Sequence, residues 1–206
     1  MTRSFLKSAL IPVALLASVP AILHAQAADP APAAAQAGTY KVETSHTRVG
    51  FSLMHFGFSE WYGEFADVTG SLSIDPAKIE NTKLAVSIPV ATVSTTNATL
   101  DEELVSADWF DAEGHPTITF VSTKVKRTGE RTADVTGNLT FHGVTKPVTL
   151  HASFNAGGVN PMSQAYTLGF NATGTITRSD FGVKNYVPAV GDEVTLRISA
   201  AFEKGE

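Results

Sequence analysis

Apolar and polar residues alternate along most of this chain, and the alternation is clearest between residues 135 and 150. Val135, Leu139 and Phe141 fall on one side of an extended segment, and Leu150 continues the pattern after a turn at residues 142–145. This is the pattern of a β-hairpin with one apolar face and one wet face. The same period of two recurs from residue 39 onward, so the sheet must curl over its apolar face.

About eight extended segments of this kind predict an all-β, antiparallel fold. They cover residues 47–55, 64–74, 83–90, 117–126, two runs within 135–150, 166–177 and 193–202. Pro89, in the third segment, must lie at an edge or at an unpaired position. Eight strands closed into a barrel enclose an interior that side chains can fill or that can hold one small ligand. The alternation leaves both outcomes open.

Residues 97–111 interrupt the alternation and predict one short helical insertion. Thr99 is the candidate N-cap, and acids at 101–103 suit the positive end of a helix dipole. Leu100, Leu104 and Val105 would form its apolar stripe.

Three glycines lie on the apolar face of predicted strands. Gly70, Gly137 and Gly174 each precede an aliphatic residue by two positions. Such glycines either allow a sheet to coil sharply, as barrel closure requires, or leave interior volume unfilled. The two interpretations are compatible.

The N-terminal 38 residues do not share the strand pattern. Arg3 and Lys7 precede an apolar run at 9–23, and Ala-Gln-Ala at 25–27 fits a cleavage site, so residues 1–27 are predicted to be a signal peptide. A membrane anchor is the alternative, but the run is shorter than the roughly 20 residues that span a bilayer. Residues 28–38 are predicted to be a flexible Ala/Pro spacer, and residues 39–206 one domain.

Charge and cysteine content exclude several classes of function. Cleavage would remove two cations and no acid, which takes the net charge from −5 to −7. No basic run is present, so we expect no nucleic-acid partner. The chain has no cysteine, which excludes disulfides, thiol catalysis and thiolate metal sites.

Five short blocks follow one another across the predicted domain. They are Ser-His-x-x-Val-x-Phe-x-x-x-His at 45–55, Asp-Trp-Phe-Asp with His-Pro-x-Ile-x-Phe at 108–120, Gly-x-Leu-Thr-x-x-Gly-Val-Thr-Lys-Pro-Val at 137–148, Thr-Arg-Ser-Asp-Phe-Gly at 177–182 and Val-Gly-Asp-Glu-Val at 190–194. In series they resemble the YceI-like family. The resemblance implies a lipocalin-like extended β-barrel that is exported to the periplasm, binds a polyisoprenoid or similar long-chain lipid in its lumen, and often dimerises.

The lipid tail would contact the inward face of the barrel, because a prenyl chain presents only methyl and methylene groups. The expected contact residues are Phe51, Leu53, Phe65, Leu72, Val86, Ile88, Phe120, Leu139, Phe141, Leu150, Phe170, Ile176, Leu196 and Ile198. At each position the alternative is a side chain that simply fills the barrel.

Two polar residues are candidates for contact with the lipid head. His55 continues the apolar face of the first strand, where it would either donate to the head or serve as a structural group. Arg178 suits a pyrophosphate or quinone oxygen, and its alternative is an ion pair with Asp180 or another acid that locks the loop. Asp101, Asp108 and Asp111 fit caps and turns better than acid–base roles.

The leading hypothesis is a periplasmic carrier that sequesters one isoprenoid or isoprenoid-quinone-like lipid, with transient contact to a membrane or membrane protein and a homodimeric state. We expect no catalytic residue, no metal site and no cofactor besides that ligand, since the histidines lack metal-ligand spacing and the common enzyme motifs are absent. The alternatives are an enzyme acting on such a lipid and a stress-related structural or interaction module with a packed barrel.

Overall fold

The computed structural model describes residues 28–205, and this part of the chain has ten β-strands and one α-helix. The elements in chain order are β1 (Gly38–Val42), β2 (Arg48–His55), β3 (Ser59–Phe65), β4 (Thr69–Ile74), β5 (Lys83–Pro89), α1 (Ala98–Leu104), β6 (Thr117–Arg127), β7 (Thr132–Phe141), β8 (Val144–Val159), β9 (Tyr166–Thr177) and β10 (Glu193–Lys204). The predicted signal peptide lies outside the described residues.

Eight of these strands form a closed antiparallel barrel, which confirms the predicted fold. β4 to β10 pair in chain order, and β1 closes the ring by pairing with both β4 and β10. The β2–β3 hairpin extends the wall, because β2 pairs with β10 beyond the point where β1 leaves it. On the far side of β3, Glu64 and Ser94 exchange two backbone hydrogen bonds of 2.9 Å.

Three local features differ from the sequence predictions. β1 was not predicted, and the predicted strand 64–74 is two strands, separated by a turn in which Asp67 has φ +53°. The N-cap of α1 is Asn97, not Thr99, because the Asn97 side chain accepts a hydrogen bond from the Leu100 amide at 3.3 Å. Pro89 is the last residue of β5, where a missing amide interrupts the ladder least.

Residues of the predicted spacer form hydrogen bonds with the barrel. β7 pairs with β8 only as far as Ser153. Beyond that residue, the edge of β8 that faces β7 has no strand partner. Asp29 pairs with this edge at Gly157 through backbone hydrogen bonds of 2.8 and 2.9 Å. Farther along, the buried Tyr40 hydroxyl donates to the Gln36 carbonyl at 2.6 Å. An Ala/Pro composition shows no apolar period, yet its backbone groups can still pair with an open strand edge.

Two clusters of buried apolar side chains lie at opposite ends of the barrel. We call one the α1 end, where Trp109, Phe110 and Phe181 pack, and the other the β1 end, where Tyr40 and Phe202 pack. None of the helices between residues 28 and 205 has the length and apolar character needed to cross a bilayer.

The three inward glycines allow close approach and do not create empty space. A Cβ at Gly70, which has φ +144°, would lie 2.2 Å from the Ala85 carbonyl oxygen. A Cβ at Gly137 would lie 2.4 Å from the Phe120 ring. The volume beside these glycines is already occupied, which supports the bending role.

We expect Gly137→Ala to destabilise the barrel by about 1–3 kcal/mol, because the new methyl group would overlap both the Phe120 ring and the Val121 carbonyl oxygen, 2.6 Å away. Gly169→Ala is the matched control, since its methyl group would meet its nearest neighbour, Asn155 Cβ, at 3.7 Å. Urea unfolding of both variants measures the difference, and equal effects would contradict close packing at Gly137.

Candidate functional site

The barrel encloses an apolar cavity of about 250 Å³. Its wall reaches from Val194 to Phe202 along β10, which is about 26 Å of strand. For comparison, an apolar cavity of about 150 Å³ stays dry and binds benzene or xenon. The interior is therefore elongated and not filled, which contradicts the alternative of a packed barrel.

All fourteen apolar residues predicted on the inward face line this cavity. Several of them, including Phe51, Val86, Ile176 and Leu196, are only partly buried although they point inward. Because these side chains line the cavity, part of their remaining accessible surface faces it. Whether these residues bind a ligand stays a prediction.

A row of alanines widens the cavity, and the sequence analysis missed it. The strand register places Ala133 of β7 opposite Ala152 of β8, and Ala152 opposite Ala172 of β9. All three line the cavity. The sequence shows that an alanine alternates with larger residues such as Phe170 and Ile176. It does not show that the three alanines are aligned across three strands, because that alignment depends on the pairing register.

The segment after α1 closes one end of the cavity. Leu104, Trp109 and Phe110 all contribute to the wall. The Phe110 ring lies 5.3 Å from Phe141 and 6.0 Å from Phe65, between centroids. The indole of Trp109 donates to the Glu103 carboxylate at 3.0 Å, which holds the ring over the α1 end. These residues were predicted only as part of a helical insertion.

Arg178 lines the α1 end of the cavity and is 3 % exposed. Its guanidinium donates to the carbonyl oxygens of Gly191, Val183, Asn185 and Val190 at 2.8–3.1 Å. Burial lowers the pKa of this group, and the Asp192 charge opposes that shift. Arg178 therefore fastens the 183–191 loop to the barrel.

The predicted ion pair between Arg178 and Asp180 is wrong, because Asp180 lies 3.5 Å from the Lys146 ammonium instead. Backbone carbonyls, which no sequence motif marks, take the place of the acid. The Arg178 guanidinium also lies 5.7 Å from the centre of the Trp109 ring. Direct contact between Arg178 and a ligand stays a prediction.

The structure does not place His55 on the cavity wall. Its ring packs between Phe56 and Trp61, with centroid distances of 4.5 and 5.5 Å. The reason is that β2 and β3 extend beyond the closed ring. His55 lies on the same face of β2 as the inward-facing residues, but at the end of the strand, where there is no lumen beneath it. The aromatic turn beside it leaves Phe58 92 % exposed.

The cavity wall has four polar residues among its described members, Thr47, Thr82, Asn171 and Arg178. Within residues 28–205, no three His, Asp or Glu side chains come together as metal ligands. His46 and His151 are on the surface, where they pair with Glu43 at 2.6 Å and Asp134 at 2.7 Å. The arrangement is suited to holding an apolar chain.

Comparison with known proteins gives consistent matches. The family model described as "YceI-like domain" matches residues 40–202. A "UPF0312 protein" of Pseudomonas savastanoi pv. phaseolicola is 43% identical over 161 residues, which cover 78% of this chain and 82% of the relative.

Solved structures agree with these matches. The crystal structure of a YceI protein of Campylobacter jejuni has a TM-score of 0.67 and 31% identity, covering 74% of this chain and 90% of that one. A polyisoprenoid binding domain from Saccharophagus degradans, implicated in plant cell wall breakdown, has a TM-score of 0.62 and covers 82% of this chain and 100% of that one. At 13% identity, this last likeness supports the fold alone.

We expect Arg178→Met to lower the free energy of unfolding by about 3 kcal/mol, because the substitution leaves four carbonyls without their donor. Arg178→Lys should rescue little, since one ammonium cannot reproduce the planar fork. Arg197→Met, at an exposed position of β10, should change stability by no more than about 0.5 kcal/mol. Denaturant unfolding measures all three, and an Arg178→Met variant as stable as the wild type would refute the fastening role.

Proposed function

Because the chain belongs to the YceI-like family, we propose that it is a binding protein that holds one long-chain isoprenoid lipid, or a similar amphiphile, in its lumen. The observation that carries this proposal is the elongated apolar cavity of about 250 Å³ inside the closed barrel. The polyisoprenoid binding of the Saccharophagus degradans domain, a structural neighbour, is consistent with it.

The mechanism of the proposed function is sequestration from water. Each methylene group gains about 0.8 kcal/mol on burial, so a five-carbon prenyl unit gains about 4 kcal/mol before the cost of ordering the chain. A flexible chain can follow the cavity along β10. Strong polar contacts are needed only where the ligand itself carries a polar group.

The proposal is of a carrier and not of an enzyme. The one charged group on the described cavity wall, Arg178, directs its hydrogen bonds to loop carbonyls. No base and nucleophile face each other there, since the other polar members of the wall are Thr47, Thr82 and Asn171.

Export to the periplasm is part of this proposal, and it rests on the signal-like sequence of residues 1–27. N-terminal sequencing of protein from the periplasmic fraction tests it, with Ala28 as the expected first residue. The homodimer rests on the family resemblance, and sedimentation velocity tests it.

Transient membrane contact would explain how such a lipid reaches the cavity. Phe56 and Phe58 form the tip of the β2–β3 turn and are 50 % and 92 % exposed. Phe56 has φ +52°, a conformation that bulky residues rarely adopt. These two rings are the residues that we expect to touch a bilayer, and vesicle co-sedimentation tests the contact.

Native mass spectrometry of protein purified from its own host, combined with organic extraction, tests the proposed function. We expect one hydrophobic small molecule per barrel. Recovery of no such molecule, together with no uptake of added prenyl probes, would overturn the carrier role.

We expect Ala172→Leu to weaken farnesol binding about ten-fold, because the larger side chain would occupy cavity space beside the aligned alanines. The fold should persist, since the added group fills empty apolar space. Thr173→Leu, at the exposed neighbouring position on β9, is the matched control and should bind farnesol as the wild type does. Titration calorimetry measures both affinities, and equal affinities would place the ligand elsewhere.

A further inference from the structure

The hydrogen-bonded ladder between β8 and β9 covers only part of these strands. Its last pair toward the α1 end is His151 with Thr173. Within the described chain, residues 144–150 of β8 and 174–177 of β9 therefore have no ladder pair across this seam. Both strands stay regular, because β8 pairs with β7 and β9 pairs with β10 through the same stretch. The seam is a separation of two ordered strands and not a frayed strand end.

A surface cleft of about 690 Å³ lies along this seam. Thr149, Thr175 and Thr177 are among the residues that line it. Val148 and Ile176 line both the cleft and the lumen. At this point the same two aliphatic side chains therefore border the lumen on one side and the outside of the barrel on the other.

The contacts that span the cleft are weak. Lys146 on β8 lies 3.5 Å from Asp180, which follows β9, and both side chains are exposed. An exposed ion pair of this kind adds little to stability. The His142 ring, in the turn before β8, contacts the Phe181 carbonyl oxygen through Nδ1 at 3.1 Å. Separating β8 from β9 along this stretch therefore costs less than separating two strands that share a continuous ladder.

The two ends of the lumen are closed more firmly. At the α1 end, Trp109 and Phe110 cover the opening, and Arg178 fastens the adjoining loop through four hydrogen bonds. At the β1 end, Tyr40 and Phe202 pack together and are 0 % and 5 % exposed. The side of the barrel is therefore an easier way in than either end.

We propose that the β8–β9 cleft is the entrance of the lumen, and that it holds the polar head of the bound ligand while the tail lies inside. This inference rests on the proposed function and gives its ligand a position. The accessible surface of the lumen is apolar, so a polar head inside it would lose its hydrogen bonds. The strand edges in the cleft offer backbone donors and acceptors, and the threonine hydroxyls there offer both. The ligand class is therefore a long prenyl or alkyl chain with a small head that donates and accepts hydrogen bonds, such as a hydroxyl group.

A disulfide across the cleft tests the entrance. Thr149 and Thr175 neighbour the two shared side chains, and continuing the register from the last ladder pair places them opposite each other. The strands are within reach there, since a Cβ at Gly174 would lie 3.3 Å from the Thr149 carbonyl oxygen. The chain has no cysteine of its own, so Thr149→Cys combined with Thr175→Cys provides one intramolecular pair.

We expect the oxidised double variant to take up farnesol at least about ten-fold more slowly than its reduced form, because a tie beside Val148 and Ile176 keeps the strands from separating. Stopped-flow mixing measures the uptake rate, and thiol titration checks the disulfide. Where the thiols remain free, a short bis-maleimide joins them, with unlinked protein as the reference.

Val121→Cys combined with Asn138→Cys is the matched control for the cross-link. These two residues pair directly across the intact ladder between β6 and β7, and the fluctuation needed for entry should not involve this seam. The oxidised and reduced forms of the control should take up farnesol at the same rate.

A farnesol analogue with a photoreactive diazirine beside its hydroxyl group tests the position of the head. We expect its adducts, mapped by mass spectrometry on the wild-type protein, on residues 146–149 and 175–181. An analogue with the diazirine at the far end of the chain is the matched control. It should label side chains inside the lumen, such as Phe120 or Leu196.

Equal uptake rates for the oxidised and reduced forms of the cleft variant would overturn the entrance and leave the carrier role intact. Head-group adducts at either end of the lumen, such as on Tyr40 or Phe110, would overturn the position of the head in the same way. Wild-type protein that takes up no farnesol would overturn the inference together with the carrier role.

Discussion

Closure of the sheet is the constraint on which the rest of the structure depends. β1 pairs with β4 on one edge and with β10 on the other, and this short strand completes the ring. Once the ring is closed, alternate residues of each strand face the lumen. A bulge after Ser122 shifts this alternation in β6, so that Phe120 and Val125 both line the cavity. Closure also removes most exposed strand edges, which matters in a chain without disulfides.

The lumen stays open because the large side chains are concentrated at the two ends. Aromatic rings close the α1 end through Phe110 and Trp109, and Tyr40 and Phe202 pack at the β1 end. Between the ends, the aligned alanines on β7, β8 and β9 leave space that their neighbours do not fill. The lining of an empty cavity lacks contacts on one side, so a bound apolar chain would stabilise the fold as well as gain burial itself.

The buried polar side chains of the wall turn their polar atoms away from the lumen, whose accessible surface is apolar. Arg178 donates its hydrogen bonds to backbone carbonyls and so stabilises the loop that borders the α1 end. Thr82 at the β1 end has no such partner. The wall therefore suits a ligand that is apolar along its length.

The two-residue period predicted the antiparallel strands and the fourteen apolar residues that line the cavity, while the closed barrel was implied by the resemblance to the YceI-like family. It failed where parity does not apply. β1 is five residues long, and Asp67 interrupts a run of strand-like residues through a backbone turn. His55 has inward parity but lies beyond the ring. The partners of Arg178 are backbone atoms, and the unpaired state of Thr82 depends on every neighbouring atom, so neither could be read from side-chain types.

Diffraction from crystals of the protein loaded with a long-chain alcohol brominated at its far end tests the central claim most directly. Anomalous scattering locates the bromine without reference to the protein atoms. We expect the bromine inside the lumen, between Trp109 and Phe170, which both line the cavity. A lumen in which side chains meet along the axis, with bromine found only on the outer surface, would contradict the existence of a lipid-holding cavity.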